Sequence, residues 1–227
     1  MSQQLRITLP VRQALGRGDF YVAEANSVAV SQIECWRDWP GRKLVLAGPE
    51  GSGKTHLAHV WASDSGARIV DAASLTVEDV PHLVSGPLCI EDVPAVAGDD
   101  RAERALLHLH NLALAEGQTL LLTADRPPSN WGLALPDLAS RMNGTPMVSL
   151  SEPDDLLLGA VLLKMFADRQ IVPAPDAVTY LVRHMHRSFA MAGQIVDALD
   201  EAALAQPKGI NRPLAIKVLQ QLDTLGD

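Results

Sequence analysis

Leu44-Val45-Leu46-Ala47-Gly48-Pro49-Glu50-Gly51-Ser52-Gly53-Lys54-Thr55-His56-Leu57 is the stretch from which the fold is read. It has an apolar run for a buried strand over 44–46, a glycine-rich turn, and a helix opening at Gly53. Gly48-x4-Gly53-Lys54-Thr55 meets the phosphate-binding P-loop pattern at every required position. The glycines let the backbone curl so that several N–H groups converge on one phosphate, and the helix N-terminus adds positive potential. Lys54 can reach β- and γ-phosphate oxygens, and the Thr55 hydroxyl suits Mg²⁺. The residues expected around a nucleotide are therefore Gly48, Pro49, Glu50, Gly51, Ser52, Gly53, Lys54, Thr55 and His56. A chance glycine turn would lack the apolar strand before it and the helical face of Leu57, Val60 and Trp61 behind it.

Outward from this turn, strands and helices alternate. On the N-terminal side, residues 1–10 alternate apolar and polar before Pro10 and read as an extended arm. Residues 16–19 read as a loop, and Phe20-Tyr21-Val22 as a short apolar contact. Asn26 or Ser27 can cap a helix that carries Val28, Val30, Ile33 and Trp36 inward and ends before Pro40-Gly41. On the C-terminal side, Ser65-Gly66 stops the P-loop helix and 68–71 is a second strand. A capped helical stretch is expected around 74–84, broken by Pro81. Leu88-Cys89-Ile90 is a buried strand ending in Glu91-Asp92. Asp99 or Asp100 opens a helix through Glu116, with Ala105, Leu106, Leu109 and Leu112 on its apolar side. Strands over 118–123 and 146–150 complete the set. The pattern predicts an α/β fold with a parallel, doubly wound five-stranded sheet and ligands at the strand C-termini, where the P-loop, Glu91-Asp92 and Thr123 fall. From Ser151 onward the periodicity is only helical, with helices expected at roughly 154–169, 176–185, 188–204 and 212–223. This is a small C-terminal helical domain.

Several residues sit where phosphate chemistry needs them. Glu91-Asp92 occupies the Walker B position: Glu91, with Thr55, is the candidate metal ligand, and Asp92 can polarise an attacking water. The plainer reading is two acids ending a strand. Thr123-Ala124-Asp125-Arg126 has the place of a γ-phosphate sensor, though Asp125 reads equally as a loop acid. Arg141, on a short helix after that strand, could reach across a subunit interface to a neighbour's nucleotide, or simply form a surface salt bridge. Arg187 is a candidate phosphate contact, whereas His184 and His186 read as surface residues without metal spacing.

Composition limits the alternatives. The chain has 227 residues, enough for one α/β domain and a smaller companion, and a 47% hydrophobic fraction that supports a sizeable core. Its formal charge is −8, with no Lys/Arg run, which argues against a strong direct grip on nucleic acid. Cys35 and Cys89 lack metal or redox spacing and read as reduced thiols of a cytoplasmic protein. No apolar signal core or membrane-length window appears.

The order of P-loop, Walker B, Thr123–Arg126, Leu135-Pro136-Asp137-Leu138-Ala139-Ser140-Arg141 and a helical lid resembles the AAA+ ATPases of the DnaA replication-initiator family. More narrowly it is similar to the short, Hda-like homologues. The strongest markers lie at 53–57, 124–128 and 135–141. The sequence after the lid leaves no room for DnaA's C-terminal helix-turn-helix domain, and Gln4-Leu5-Arg6-Ile7-Thr8-Leu9 resembles the peptide that docks on the β sliding clamp. The resemblance implies ADP or ATP with Mg²⁺ as cofactors, Arg141 as arginine finger, Arg187 as lid (sensor II) arginine, and Tyr21 and Val22 near the adenine. It implies clamp contacts through Gln4, Leu5, Ile7 and Leu9; packing of that arm on its own domain as an extra strand is the alternative. The implied organisation is an arm over 1–12, a nucleotide-binding domain over 13–150 and a lid over 151–227. The implied role is to dock on the DNA-loaded clamp and stimulate ATP hydrolysis by DnaA, with weak or no turnover of its own and no membrane partner; homo-oligomerisation is left open. Glu91 departs from the aspartate usual at the first Walker B position, which bears on intrinsic hydrolysis. Two rivals are an autonomous ATPase or helicase loader acting on single-stranded DNA, and a small-molecule P-loop kinase.

Overall fold

The computed structural model describes residues 12–13, 21–204 and 209–225. The expected arm contacts Gln4, Leu5, Ile7 and Leu9, and the loop expected at 16–19, lie outside the described residues. In chain order the strands are β1 (Arg12–Gln13), β2 (Tyr21–Val22), β3 (Lys43–Ala47), β4 (Arg68–Asp71), β5 (Leu88–Glu91), β6 (Leu120–Ala124) and β7 (Met147–Ser149). The helices are α1 (Ser27–Glu34), α2 (Lys54–Ser65), α3 (Val80–Leu83), α4 (Asp100–Ala115), α5 (Pro136–Asn143), α6 (Asp155–Asp168), α7 (Pro175–His184), α8 (Phe189–Leu204) and α9 (Arg212–Leu225).

The P-loop strand β3 lies inside the sheet, between β6 and β7, and it is apolar on both faces. Leu44, Val45 and Leu46 are buried, and β6 is buried along its whole length, as strands covered by helices on both sides must be. The five-stranded sheet runs β4-β5-β6-β3-β7 with every pairing parallel, and Val45 aligns with Leu122 on one side and Met147 on the other. Val45 and Ala47 join a core with Leu106 and Leu109 of α4 and Leu138 and Met142 of α5. Leu44 and Leu46 point to the opposite face. Leu57, Val60 and Trp61 of α2 are buried together, with Trp61 stacked on Trp39 at 5.5 Å and met edge-on by Trp36 at 6.2 Å. Gly66 ends α2 in the left-handed conformation, φ 73°, as the Ser65-Gly66 pair predicts.

Three local expectations are corrected. Instead of one helix over 74–84, the chain makes a 3-10 turn at Ala72–Ser74 and the short α3. Pro81 lies in the first turn of α3, where its missing N–H costs nothing, so it opens a helix and does not break one. Val28 is 67% exposed, not inward; the buried stripe of α1 is Ala29, Val30 and Ile33. Asn26 stands at the cap position of α1 without a side-chain bond to its N–H groups. By contrast, Asp99 does cap α4, accepting from the N–H groups of Arg101 and Ala102.

Residues Asn26–Glu152 form one compact unit, while Tyr21–Ala25 group with the chain from Pro153 onward. In this second unit α6–α9 enclose Leu158, Leu162, Phe166, Leu181, Ile195, Leu199, Leu214 and Val218, and β2 packs on α6. Asp154 caps α6 by accepting from the Leu157 N–H at 2.7 Å, and Pro153 precedes the cap. Among the described residues no helix is long and apolar enough to cross a membrane.

Candidate functional site

The turn after β3 is pinned on both sides. The Gly48 N–H donates to the Ala124 carbonyl at 3.1 Å, and the Leu150 N–H to the Ala47 carbonyl at 2.7 Å. A Cβ on Gly48 would stand 2.7 Å from the Leu150 carbonyl oxygen and 2.8 Å from Ser52 Oγ, so only glycine passes there. Gly53 enters α2 at φ 96° and has no side chain to cap it, so no cap competes with an anion for the first-turn N–H groups. Lys54 Nζ donates to the carbonyls of Gly48 at 2.8 Å and Pro49 at 2.9 Å, folding back over the turn. Burial lowers the Lys54 pKa, opposed by Asp125, Asp92, Glu50 and Glu91.

A cavity of about 530 Å³ opens above the turn, lined by Glu50, Lys54, Thr55, Asp71, Glu91, Asp92, Thr123 and Asp125. That volume lies in the range of small-molecule sites. The sheet therefore gathers Lys54, Thr55 and both Walker B acids into one place, with Thr123 and Asp125. Pro49 and His56 are exposed beside it, and Ser52 is buried with its hydroxyl unpartnered. Glu91 ends β5, and its Oε1 is buried without a hydrogen-bond partner. Asp92 follows at φ 52°, ψ 51°, a left-handed backbone that costs a non-glycine residue about 1 kcal/mol or more. Its N–H donates to the buried Thr123 hydroxyl at 3.1 Å, which fixes the turn. Asp125 pairs with Arg126 at 3.2 Å.

This donor set fits Mg²⁺ held jointly with a nucleotide. Among the described residues no group of three or more His, Cys, Asp or Glu is placed to hold a metal alone. Mg²⁺ needs no such cage, since it is bound by one or two protein oxygens together with waters and substrate phosphates. The orphaned Glu91 oxygen and the Thr55 hydroxyl are the groups that would hold it, and the ion would supply charge compensation to the phosphates.

Arg141 belongs to the same unit but to its other end. Its Nε lies 3.2 Å from Asp137 Oδ1, one helical turn back, and its Nη2 donates to Asp137 Oδ2 at 3.3 Å. Its carbonyl accepts from Thr145 Oγ1 at 2.9 Å and Lys43 Nζ at 3.3 Å. Lys43 opens β3 and Ala47 closes it, so about 13 Å of strand separates this anchor from the P-loop. Lys43 Nζ also lies 3.3 Å from His110 Nε2. Burial and the Lys43 charge push the His110 pKa down to about 4, leaving the ring neutral near pH 7. Burial, then Arg141, lowers the Lys43 pKa as well.

The run into α5 is stapled by Glu103. Its fully buried carboxylate accepts from the N–H groups of Gly98 at 2.9 Å, Ala134 at 2.9 Å and Leu135 at 2.7 Å. Sequence reasoning missed Glu103, Lys43, His110 and Asp71. Asp71 ends a strand as Glu91 does and was findable by that rule. Glu103 stands on the buried side of α4 with Leu106 and His110, an oddity worth flagging at one helical turn's spacing. Lys43 and His110 are too far apart in sequence to signal each other.

In the helical unit, Arg187 Nη1 donates to the Pro153 carbonyl at 3.3 Å, and its Nη2 pairs with Asp155. Tyr21 is half-buried and Val22 buried in β2. His184 and His186 are exposed.

No protein-family model matches the chain. Among solved structures, domain III of the replication initiation protein DnaA from Thermotoga maritima is similar over 89% of this chain and 94% of that domain, with a TM-score of 0.79 at 19% identity. AMPPCP-bound DnaA from Aquifex aeolicus matches over 80% of this chain, with a TM-score of 0.67 at 20% identity. This chain spans 63% of that DnaA chain. A RuvB variant from Thermotoga maritima matches over 88% of this chain and 69% of its own, with a TM-score of 0.69 at 16% identity. The architecture is thus the fold seen in these DnaA and RuvB structures.

Proposed function

We propose that this chain binds ADP or ATP with Mg²⁺ in the P-loop cavity and regulates replication initiation by stimulating ATP hydrolysis in DnaA. The observation that carries the reading is the position of Arg141, anchored through Lys43 at the end of β3 away from the chain's own P-loop. A guanidinium there serves phosphates held by another subunit better than its own. The similarity to DnaA domain III, and the AMPPCP held by the Aquifex aeolicus protein, support nucleotide binding and a DnaA-type partner. In this reading Lys54 and the turn amides hold the phosphates, Thr55 and Glu91 hold the ion, and Asp92 faces the attacking water. Arg187 follows the nucleotide from the lid, Tyr21 and Val22 flank the adenine, and residues 4–9 dock on the sliding clamp. The carboxylate order, Glu91 before Asp92, suits a protein that turns over little ATP itself.

The test is reconstitution. ATP bound to DnaA should be hydrolysed when this chain, clamp and DNA are all present, and Arg141→Ala should reduce that stimulation about 10³-fold, the scale of arginines supplied in trans. The variant should still bind ADP. Undiminished stimulation would assign Arg141 to its ion pair with Asp137. Robust ATP turnover by this chain alone on single-stranded DNA would instead favour the autonomous ATPase.

A further inference from the structure

The helical unit has a second, smaller cavity of about 190 Å³ where α7 meets α9, lined by Asp176, Thr179, Tyr180, Arg183, His184 and Arg212. We propose that this cavity is a binding site for a single phosphate group, separate from the P-loop.

Charge is the first argument. The chain carries eight more acidic than basic residues, and six of its arginines, Arg37, Arg104, Arg126, Arg141, Arg169 and Arg187, each pair with an aspartate. Arg183 and Arg212 line this cavity and take part in none of the ion pairs among the described residues. Two unneutralised guanidinium groups on one concavity call for an anion, and their planar forks match the oxygen geometry of phosphate.

Placement is the second. The Ala174 N–H donates to the Ile210 carbonyl at 2.8 Å, tying the start of α7 to the turn before α9. Arg212 is held over the Tyr180 ring, its Cζ 5.6 Å from the centroid, and the His184 ring stands 4.4 Å from the same ring. Arg212 is therefore set before any ligand arrives, which lowers the ordering cost of binding.

Size and free valences choose the ligand. The volume is below that of sites for drug-sized molecules, and room for one tetrahedral anion is what remains. Tyr180 already carries an arginine and a histidine against its ring, so it is not a platform awaiting a base. Thr179 Oγ1 donates to the Pro175 carbonyl at 2.9 Å and is spent within its helix. Recognition falls to Arg183, Arg212 and a His184 ring N–H. Asp176 is the one opposing charge in the cavity and weakens the site.

The phosphate could be free or part of a polynucleotide backbone, and the experiment separates the two. The full chain, with its P-loop saturated by ADP, is titrated with inorganic phosphate, and with chloride at equal ionic strength, following the Tyr180 and His184 side-chain resonances by NMR. Saturable shifts with phosphate alone, near millimolar, are expected. Arg183→Ala combined with Arg212→Ala should weaken binding at least tenfold. Asp176→Asn should tighten it several-fold, a change of opposite sign that misfolding cannot mimic. Equal shifts with chloride, phosphate binding that survives loss of both arginines, or no tightening with Asp176→Asn would overturn the proposal. A ten-residue oligothymidylate that displaces phosphate in an arginine-dependent way identifies the backbone phosphodiester as the source. An oligonucleotide that leaves phosphate bound identifies a free phosphate.

Discussion

Lys54 faces five carboxylates, Glu50, Asp71, Glu91, Asp92 and Asp125, around one cavity. Such a surplus of negative charge repels a bare nucleotide, so binding rests on Lys54, the turn amides and the accompanying cation. Lys54→Ala should therefore lower ADP affinity at least tenfold, about 1.4 kcal/mol, by calorimetry in the presence of Mg²⁺. Equal affinity would remove the P-loop from the binding site. At this scale the sequence was most informative where chemistry and contiguity coincide. Gly48 to Thr55 are neighbours in the chain, and each residue type has a local reason to be there. Lys43 and His110 became neighbours only when β3 and α4 packed, and no local pattern announces that.

At the scale of elements, strong periodicity was read well and local turn chemistry less so. The apolar stripes of α6–α9 place each helix within two residues of its observed ends, because burial of one face outweighs other terms over three or four turns. Over 74–84 no such stripe exists, and the segment follows its caps and Pro81 into two short turns. The Glu103 staple joins the segment after Asp92 to the start of α5 through Gly98 and Leu135. Burial pushes the Glu103 pKa up, but hydrogen bonds from Ala134, Gly98 and Leu135 outweigh it and leave the carboxyl below its ordinary range. A depressed folded pKa means the stabilisation is complete above the unfolded value, about 4.3. It is lost as pH falls through the folded value. Glu103→Gln should cost about 2–3 kcal/mol at pH 7, with the gap to wild type narrowing below pH 4 in urea melts. A constant gap across that range would show that the charge is not what the three N–H groups require.

For the whole molecule, the −8 charge and the absence of a basic run weigh against a direct hold on DNA, and in the proposed function the sliding clamp supplies that hold. In an extended arm Leu5, Ile7 and Leu9 project to one side and Gln4 to the other. Each apolar side chain buried in a partner groove is worth roughly 1.5–3 kcal/mol before ordering costs, consistent with affinity near micromolar, about −8 kcal/mol. Gln4→Ala with Leu5→Ala should abolish clamp binding in a pull-down or calorimetric titration, while melting temperature and ADP affinity stay unchanged. Retained binding, or loss of the fold, would remove the arm from that role. The grouping of Tyr21–Ala25 with the chain from Pro153 onward also orders events on the ribosome. β2 emerges early, but its partner helix α6 is synthesised only after the entire sheet, a wait on the order of ten seconds at ordinary elongation rates. During that interval Val22, buried in the finished protein, has no α6 to rest on. A released fragment ending at residue 152 should therefore be cut by protease near residues 21–25 while its sheet resists, and the same site should be protected in the full chain.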